Sequence, residues 1–146
     1  MPDRSTGPTV AEPLTQLLTR AAHAVTAQVE RVLKPEGLTI DQWLVIEALA
    51  TRKGLTMAAL ADQTAATGPT LTRVVDRLVT TATVYREVDP ADRRKVRVYL
   101  SPRGRATHKR VAAKVRGIEQ VVLERAGDPA AIAALLTDLR ACPGSR

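Results

Sequence analysis

Thr67-Gly-Pro-Thr-Leu-Thr-Arg-Val-Val-Asp-Arg-Leu78 and Val88-Asp-Pro-Ala-Asp-Arg-Arg-Lys-Val-Arg-Val-Tyr-Leu100 are the two runs on which the fold turns. In the first, Leu71, Val74, Val75 and Leu78 fall at i, i+3, i+4 and i+7, the spacing of one apolar stripe along an α-helix. The opposite face then carries Pro69, Thr72, Arg73 and Asp76, with Thr70 and Arg77 on its flank. Thr67 is placed to cap this helix, and Pro69 is tolerated in its first turn, where a missing N–H costs nothing. In the second run the period falls to two. Val96, Val98 and Leu100 alternate with Lys95, Arg97 and Tyr99, and Val84, Arg86 and Val88 form a matching upstream strand. Asp89-Pro90 initiates the turn between them, so the pair reads as a β-hairpin with a cationic tip.

Working upstream, Thr56 caps a short helix whose buried side is Met57, Leu60 and Ala61, and Ala65-Ala-Thr-Gly68 supplies a tight turn containing a glycine. Two short helices joined this way outline a helix-turn-helix. Thr39 and Gln42 have capping-box spacing and open a helix over Trp43 to Ala50 that is apolar on nearly every side, which places it between two layers. Before it, Leu14, Leu18, Val25, Val29 and Val32 mark one long amphipathic helix closed by Lys34-Pro-Glu-Gly37. Residues 1–12 show no period and read as a flexible tail.

Downstream, Ser101-Pro102 opens a long helix with the stripe Val111, Val115, Ile118 and Val122, and Asp128-Pro129 opens a last one carrying Ile132, Leu135, Leu136 and Leu139. One chain offers these outer helices too few neighbours to cover their stripes. The expectation is a mainly α protein with a small β-hairpin wing, in which residues 39–100 form a winged helix-turn-helix lobe. The helices of 13–37 and 102–142 then pair with a second copy, within a single domain over 13–146.

Charge points to the partner. The chain carries +7 overall, yet residues 86–116 hold 11 Lys/Arg against 3 Asp/Glu, and the rest is slightly acidic. Such concentration suits a polyanion, because each neutralised phosphate releases condensed counterions. Arg103, Arg105, Lys109 and Arg110 stand near the positive end of the long helix's dipole, where local stability does not explain them but an anionic partner does. The two histidines, His23 and His108, have no metal-ligand neighbours, and neither a phosphate loop nor a nucleophile elbow occurs, so neither an enzyme nor a cofactor or metal site is expected. The one cysteine, Cys142, reads as an incidental thiol. With no long apolar run or signal peptide, no membrane association is expected, and the location implied is cytoplasmic, at the nucleoid.

Leu38-Thr-Ile-Asp-Gln-Trp43, Leu60-Ala61, Leu71-Thr-Arg-Val-Val-Asp-Arg-Leu78, the wing Val88-Asp-Pro-Ala-Asp-Arg-Arg94 and Leu100-Ser-Pro-Arg-Gly104 together resemble the MarR family of bacterial transcription regulators. The wing combination is the most specific part. One residue departs: where the family usually has Gly between recognition helix and wing, this chain has Ala82. The resemblance implies a homodimer, a palindromic double-stranded DNA operator, and relief of repression by a small aromatic or phenolic ligand.

On that footing Arg73 is the candidate for bidentate guanine contact, with Pro69 and Thr70 touching bases, and Thr72 and Arg77 holding phosphates. Arg94 is assigned to the minor groove, Arg93, Lys95 and Arg86 to the DNA backbone, and Asp92 to an ion pair across the hairpin that fixes the wing. Arg20, His23 and Trp43 are candidate ligand-cavity residues, although a Trp at such a position is more often plain core. A winged helix serving protein–protein assembly in DNA-associated machinery is the competing reading, and the charge concentration argues against it.

Overall fold

The computed structural model describes residues 11–142, and the expected tail over 1–12 lies outside them except for its last two residues. Residues 143–146 of the expected domain also lie outside the described residues. The elements in order are α1 (Leu14–Leu33), a 3-10 turn (Lys34–Glu36), α2 (Ile40–Thr51), β1 (Leu55–Thr56), α3 (Met57–Thr64), α4 (Gly68–Thr80), β2 (Val84–Val88), β3 (Val96–Leu100), α5 (Pro102–Glu124) and α6 (Pro129–Arg140). The three strands form an antiparallel sheet in the order β1-β3-β2, with Val84 opposite Leu100 and Val88 opposite Val96. The fold is the mainly helical winged helix-turn-helix that the residue pattern predicts.

The core gathers Leu33, Ile46, Leu60, Leu71, Val75, Leu78, Val84, Val98, Leu100 and Val111, which are all but inaccessible to solvent. Burying such side chains stabilises by about 1.5–3 kcal/mol each. The capping box is present, Thr39 Oγ1 accepting from Gln42 N at 3.2 Å and Gln42 Oε1 from Thr39 N at 3.1 Å. Trp43, on the same helix, is core: its ring stacks on His108 at 5.5 Å with 7° between planes, and His108 Nε2 is 2.8 Å from Glu47 Oε2.

Local details differ from the sequence reading. Gly68 does not make the turn between α3 and α4, because it is the first residue of α4, and Ala65 takes the left-handed conformation at φ 55°. Thr67 occupies the cap position of α4 without capping it, its hydroxyl donating to Thr70 Oγ1 at 3.1 Å. β1 was invisible to periodicity, since two residues have no period; it pairs with the second edge of β3, Leu55 opposite Val98 and Thr56 opposite Arg97.

Ser101 and Gly104 explain why the segment after the wing reads Leu-Ser-x-x-Gly. Ser101 Oγ donates to Ala82 O at 2.7 Å and accepts from Gly104 N at 2.9 Å, tying the start of α5 to the turn before β2. A Cβ on Gly104 would stand 2.1 Å from Thr83 O, so no larger residue fits. The turn itself puts Ala82 at φ 56°, the conformation for which Gly is suited. Ala82→Gly is therefore expected to stabilise the protein by about 0.5–1 kcal/mol, relief of left-handed strain exceeding the added chain entropy. Urea unfolding measures it, and a lower midpoint for the variant contradicts this account.

Candidate nucleic-acid interface

α4 turns Leu71, Val75 and Leu78 into the core and leaves Pro69, Thr72, Arg73, Asp76 and Arg77 exposed. Thr70 is half-buried and Thr72 Oγ1 donates to Gly68 O at 3.0 Å, so this hydroxyl serves the helix as well as facing outward. Arg73 has no hydrogen-bond or ion-pair partner among the described residues and stands free near the middle of the face. Asp76, an acid on the same face, is accounted for by its neighbour: Arg86 Nη2 of β2 donates to Asp76 Oδ1. Arg86 is thereby joined to α4, and the contact links that helix to the wing.

At the wing, Arg93, Arg94 and Lys95 are exposed, and the Arg94 side chain is 93% accessible. Asp92 does not reach across the hairpin. Its Oδ1 accepts from Arg94 N at 3.1 Å, with Arg94 Nε at 3.5 Å, which shapes the tip locally in the manner of an Asx turn. The bond that spans the hairpin belongs to Asp89 and Arg97, Nε to Oδ2 at 2.6 Å. Asp89 is only 7% exposed, accepts from Ala91 N at 2.8 Å, and its own N–H reaches Lys95 O at 2.8 Å. The Arg97 guanidinium, and after it the Ala91 amide, hold the Asp89 carboxyl below the usual carboxylate range.

Arg97 Nη1 also lies 3.4 Å from Gly54 O, and the Tyr99 ring covers Gly54 so closely that a Cβ there would meet it at 2.5 Å. The wing is thus anchored to the turn before β1 on one face and to α4 on the other. Residue spacing assigns Asp76, Asp89, Arg97 and Gly54 no structural partner. Asp89 was visible only as a turn initiator, and no local pattern joins Arg97 to Gly54 across 43 residues.

The basic excess divides in two. The wing region 86–97 has five cations and three acids, whereas 102–116 has six cations and no acid. Of those on α5, Arg103 and Arg110 line one cleft and Arg105 another, on different sides of the helix. One surface does not hold them all.

Nor do the three candidate ligand residues come together. Arg20, paired with Glu12 at 3.1 Å, and His23 line an open hollow along α1, while Trp43 sits in the core. A separate cleft of about 400 Å³ lies between the end of α2, the sheet and α5. Its walls are Tyr85 and Tyr99, stacked at 5.4 Å, and His108, with Lys53 and Arg105 also lining it. No described helix is long and apolar enough to cross a membrane.

The sequence pattern of the MarR family matches residues 36–95. An HTH-type transcriptional repressor of Mycobacterium tuberculosis, Rv2887, is 32% identical over 117 residues, spanning 80% of this chain and 84% of its own length. Among solved structures, the transcriptional regulator PA4135 superimposes with a TM-score of 0.81 at 29% identity, covering 88% of this chain and 96% of that one. BpsR of Bordetella bronchiseptica, whose DNA binding is regulated by 6-hydroxynicotinic acid, gives 0.76 at 30% identity, covering 91% and 97% of the two chains.

Proposed function

The chain belongs to the MarR family of transcriptional regulators, which is a DNA-binding and not an enzymatic role, and we propose that it represses as a homodimer occupying a palindromic operator. One observation carries the reading: α4 turns its apolar stripe to the core and leaves Arg73, without a partner among the described residues, on a polar face joined through Asp76 and Arg86 to the wing. Each α4 enters a major groove, with Arg73 reading guanine, Pro69 and Thr70 at the bases, and Thr72 and Arg77 at phosphates. Each wing sets Arg94 at the minor groove with Arg93 and Lys95 on the backbone, while Arg86 and Asp92 hold the geometry.

The dimer forms through α1, α5 and α6. Leu14, Leu17, Val121, Leu135 and Leu136 are exposed there, and no residue of α6 is buried within the protomer. Two-fold symmetry then spaces the recognition helices about 34 Å apart, one turn of duplex. A repressor of this kind works where the genome is, in the cytoplasm. A small aromatic acid relieves repression by entering the cleft of Tyr85, Tyr99 and His108, a placement supported by the stacked rings and by Arg105 and Lys53 in its lining.

The direct test is a mobility shift with genomic fragments, followed by titration across salt. If two protomers neutralise about eight phosphates, log affinity falls with log salt at a slope of about −7. A slope of about −1 contradicts the interface, and failure to shift any duplex contradicts the function.

A further inference from the structure

We propose that the polar cleft between the end of α4 and the start of α5 binds a small phosphate-bearing molecule, best a diphosphate. The cleft measures about 410 Å³. Along α5, Arg103, Thr107 and Arg110 follow at i, i+4 and i+7 and line it as one row, and Arg77 of α4 lines it from the other helix. Neither Arg77 nor Arg103 has an acidic partner among the described residues. Two guanidinium groups without counter-charge in one concavity repel each other unless an anion joins them.

Glu36 already shows what this row does to an oxyanion. Arg110 donates through Nε at 3.1 Å and Nη2 at 2.8 Å to Glu36 Oε2, and Lys114 Nζ donates to Oε1 at 3.1 Å. These two cations, Arg110 before Lys114, draw the Glu36 carboxyl down to about 2. The carboxylate occupies only the far end of the row and leaves Arg103 and Arg77 unfilled.

The chemistry of the lining selects the ligand. No aromatic side chain borders this cleft, so a flat aromatic acid finds no ring to stack on, whereas Gln42 and Thr107 offer polar contacts. Planar guanidinium forks match phosphate oxygens two at a time, and several arginines together suit a polyanion better than a single carboxylate. The cationic run of α5, opposed to its own helix dipole, thereby gains a partner that the wing does not supply. One consequence rests on the DNA reading above: Arg77 cannot serve both the ligand and a DNA phosphate, so occupancy weakens operator binding.

Pyrophosphate is the probe. Titrated calorimetrically into the full chain at constant ionic strength, with sodium chloride as the blank, it is expected to bind saturably, one per protomer. Arg103→Gln, an exposed residue outside the proposed DNA contacts, is expected to weaken this about tenfold, whereas Arg125→Gln at the far end of α5 leaves it unchanged. Circular dichroism checks that both variants fold. Heats indistinguishable from the chloride blank, or equal binding by Arg103→Gln, overturn the site, and both results are independent of any DNA. With operator present, the same pyrophosphate releases wild type but not Arg103→Gln. Ligand binding without that release keeps the site and overturns its link to DNA.

Discussion

Arg73→Ala is expected to lower affinity for the operator by about 30-fold or more while leaving binding to unrelated duplex nearly unchanged. The residue stands on the exposed face of α4 opposite Leu71, Val75 and Leu78 and makes no hydrogen bond or ion pair among the described residues that its removal would disturb. Folding stability should therefore hold. A bidentate arginine–guanine pair discriminates by about 1–3 kcal/mol, and a symmetric dimer makes it twice, so the loss comes to about 2–6 kcal/mol, or about 30-fold to 10⁴-fold. Competition titration of operator against scrambled sequence reads the difference. Arg94→Ala provides the contrast, since loss of the proposed wing contacts is expected to weaken both duplexes alike. Equal losses on both duplexes for Arg73→Ala as well contradict its assignment to base reading.

Replacing Leu135 and Leu136 together with Glu is expected to convert the proposed dimer to monomers and to reduce operator binding to that of a single lobe. These leucines are 52% and 47% exposed within the protomer, on a helix that buries nothing of its own. Already half covered, each gains about half of the 1.5–3 kcal/mol of full burial, or about 3–6 kcal/mol in all counted on both protomers. That is about a quarter to a half of the whole free energy of a nanomolar complex, about −12 kcal/mol, before the repulsion among four new carboxylates is added. Because α6 lies outside the core, the lobe should keep its helical circular dichroism and its cooperative unfolding. Sedimentation decides the matter: a variant that stays dimeric places the interface elsewhere.

The helices were legible because each buries one stripe, and a stripe leaves a period in the chain. Leu71, Val74, Val75 and Leu78 marked α4, and its exposed face followed by subtraction. The wing was legible through its twofold period and its Asp-Pro turn, although the alternation overstated its burial, since Val88 and Val96 at the distal end are exposed. The bonds that orient the wing were not legible. Arg86 looked like a free cation until Asp76 appeared beside it, and Asp92 looked like the hairpin's brace until Asp89 was found buried against Arg97.

The cationic run shows the same limit at larger scale. Adjacent in sequence, its members separate in space because a strand carries the chain away from the tip before α5 begins. Charge density along the chain therefore predicted an anionic partner without locating it. Similarly, Trp43, His23 and Arg20 sat within reach by sequence, and packing turned Trp43 inward onto His108 while the other two stayed outside.

Backbone periodicity and caps such as Thr39 with Gln42 were determined by the chain alone, since each depends on neighbours within a few residues. Which charge meets which, which side chains share a cleft and which leucines remain uncovered were decided only by the folded molecule. Ion pairs and clefts are built by residues tens of positions apart, as Glu36 with Arg110 and Gly54 with Arg97, and no local rule encodes that distance.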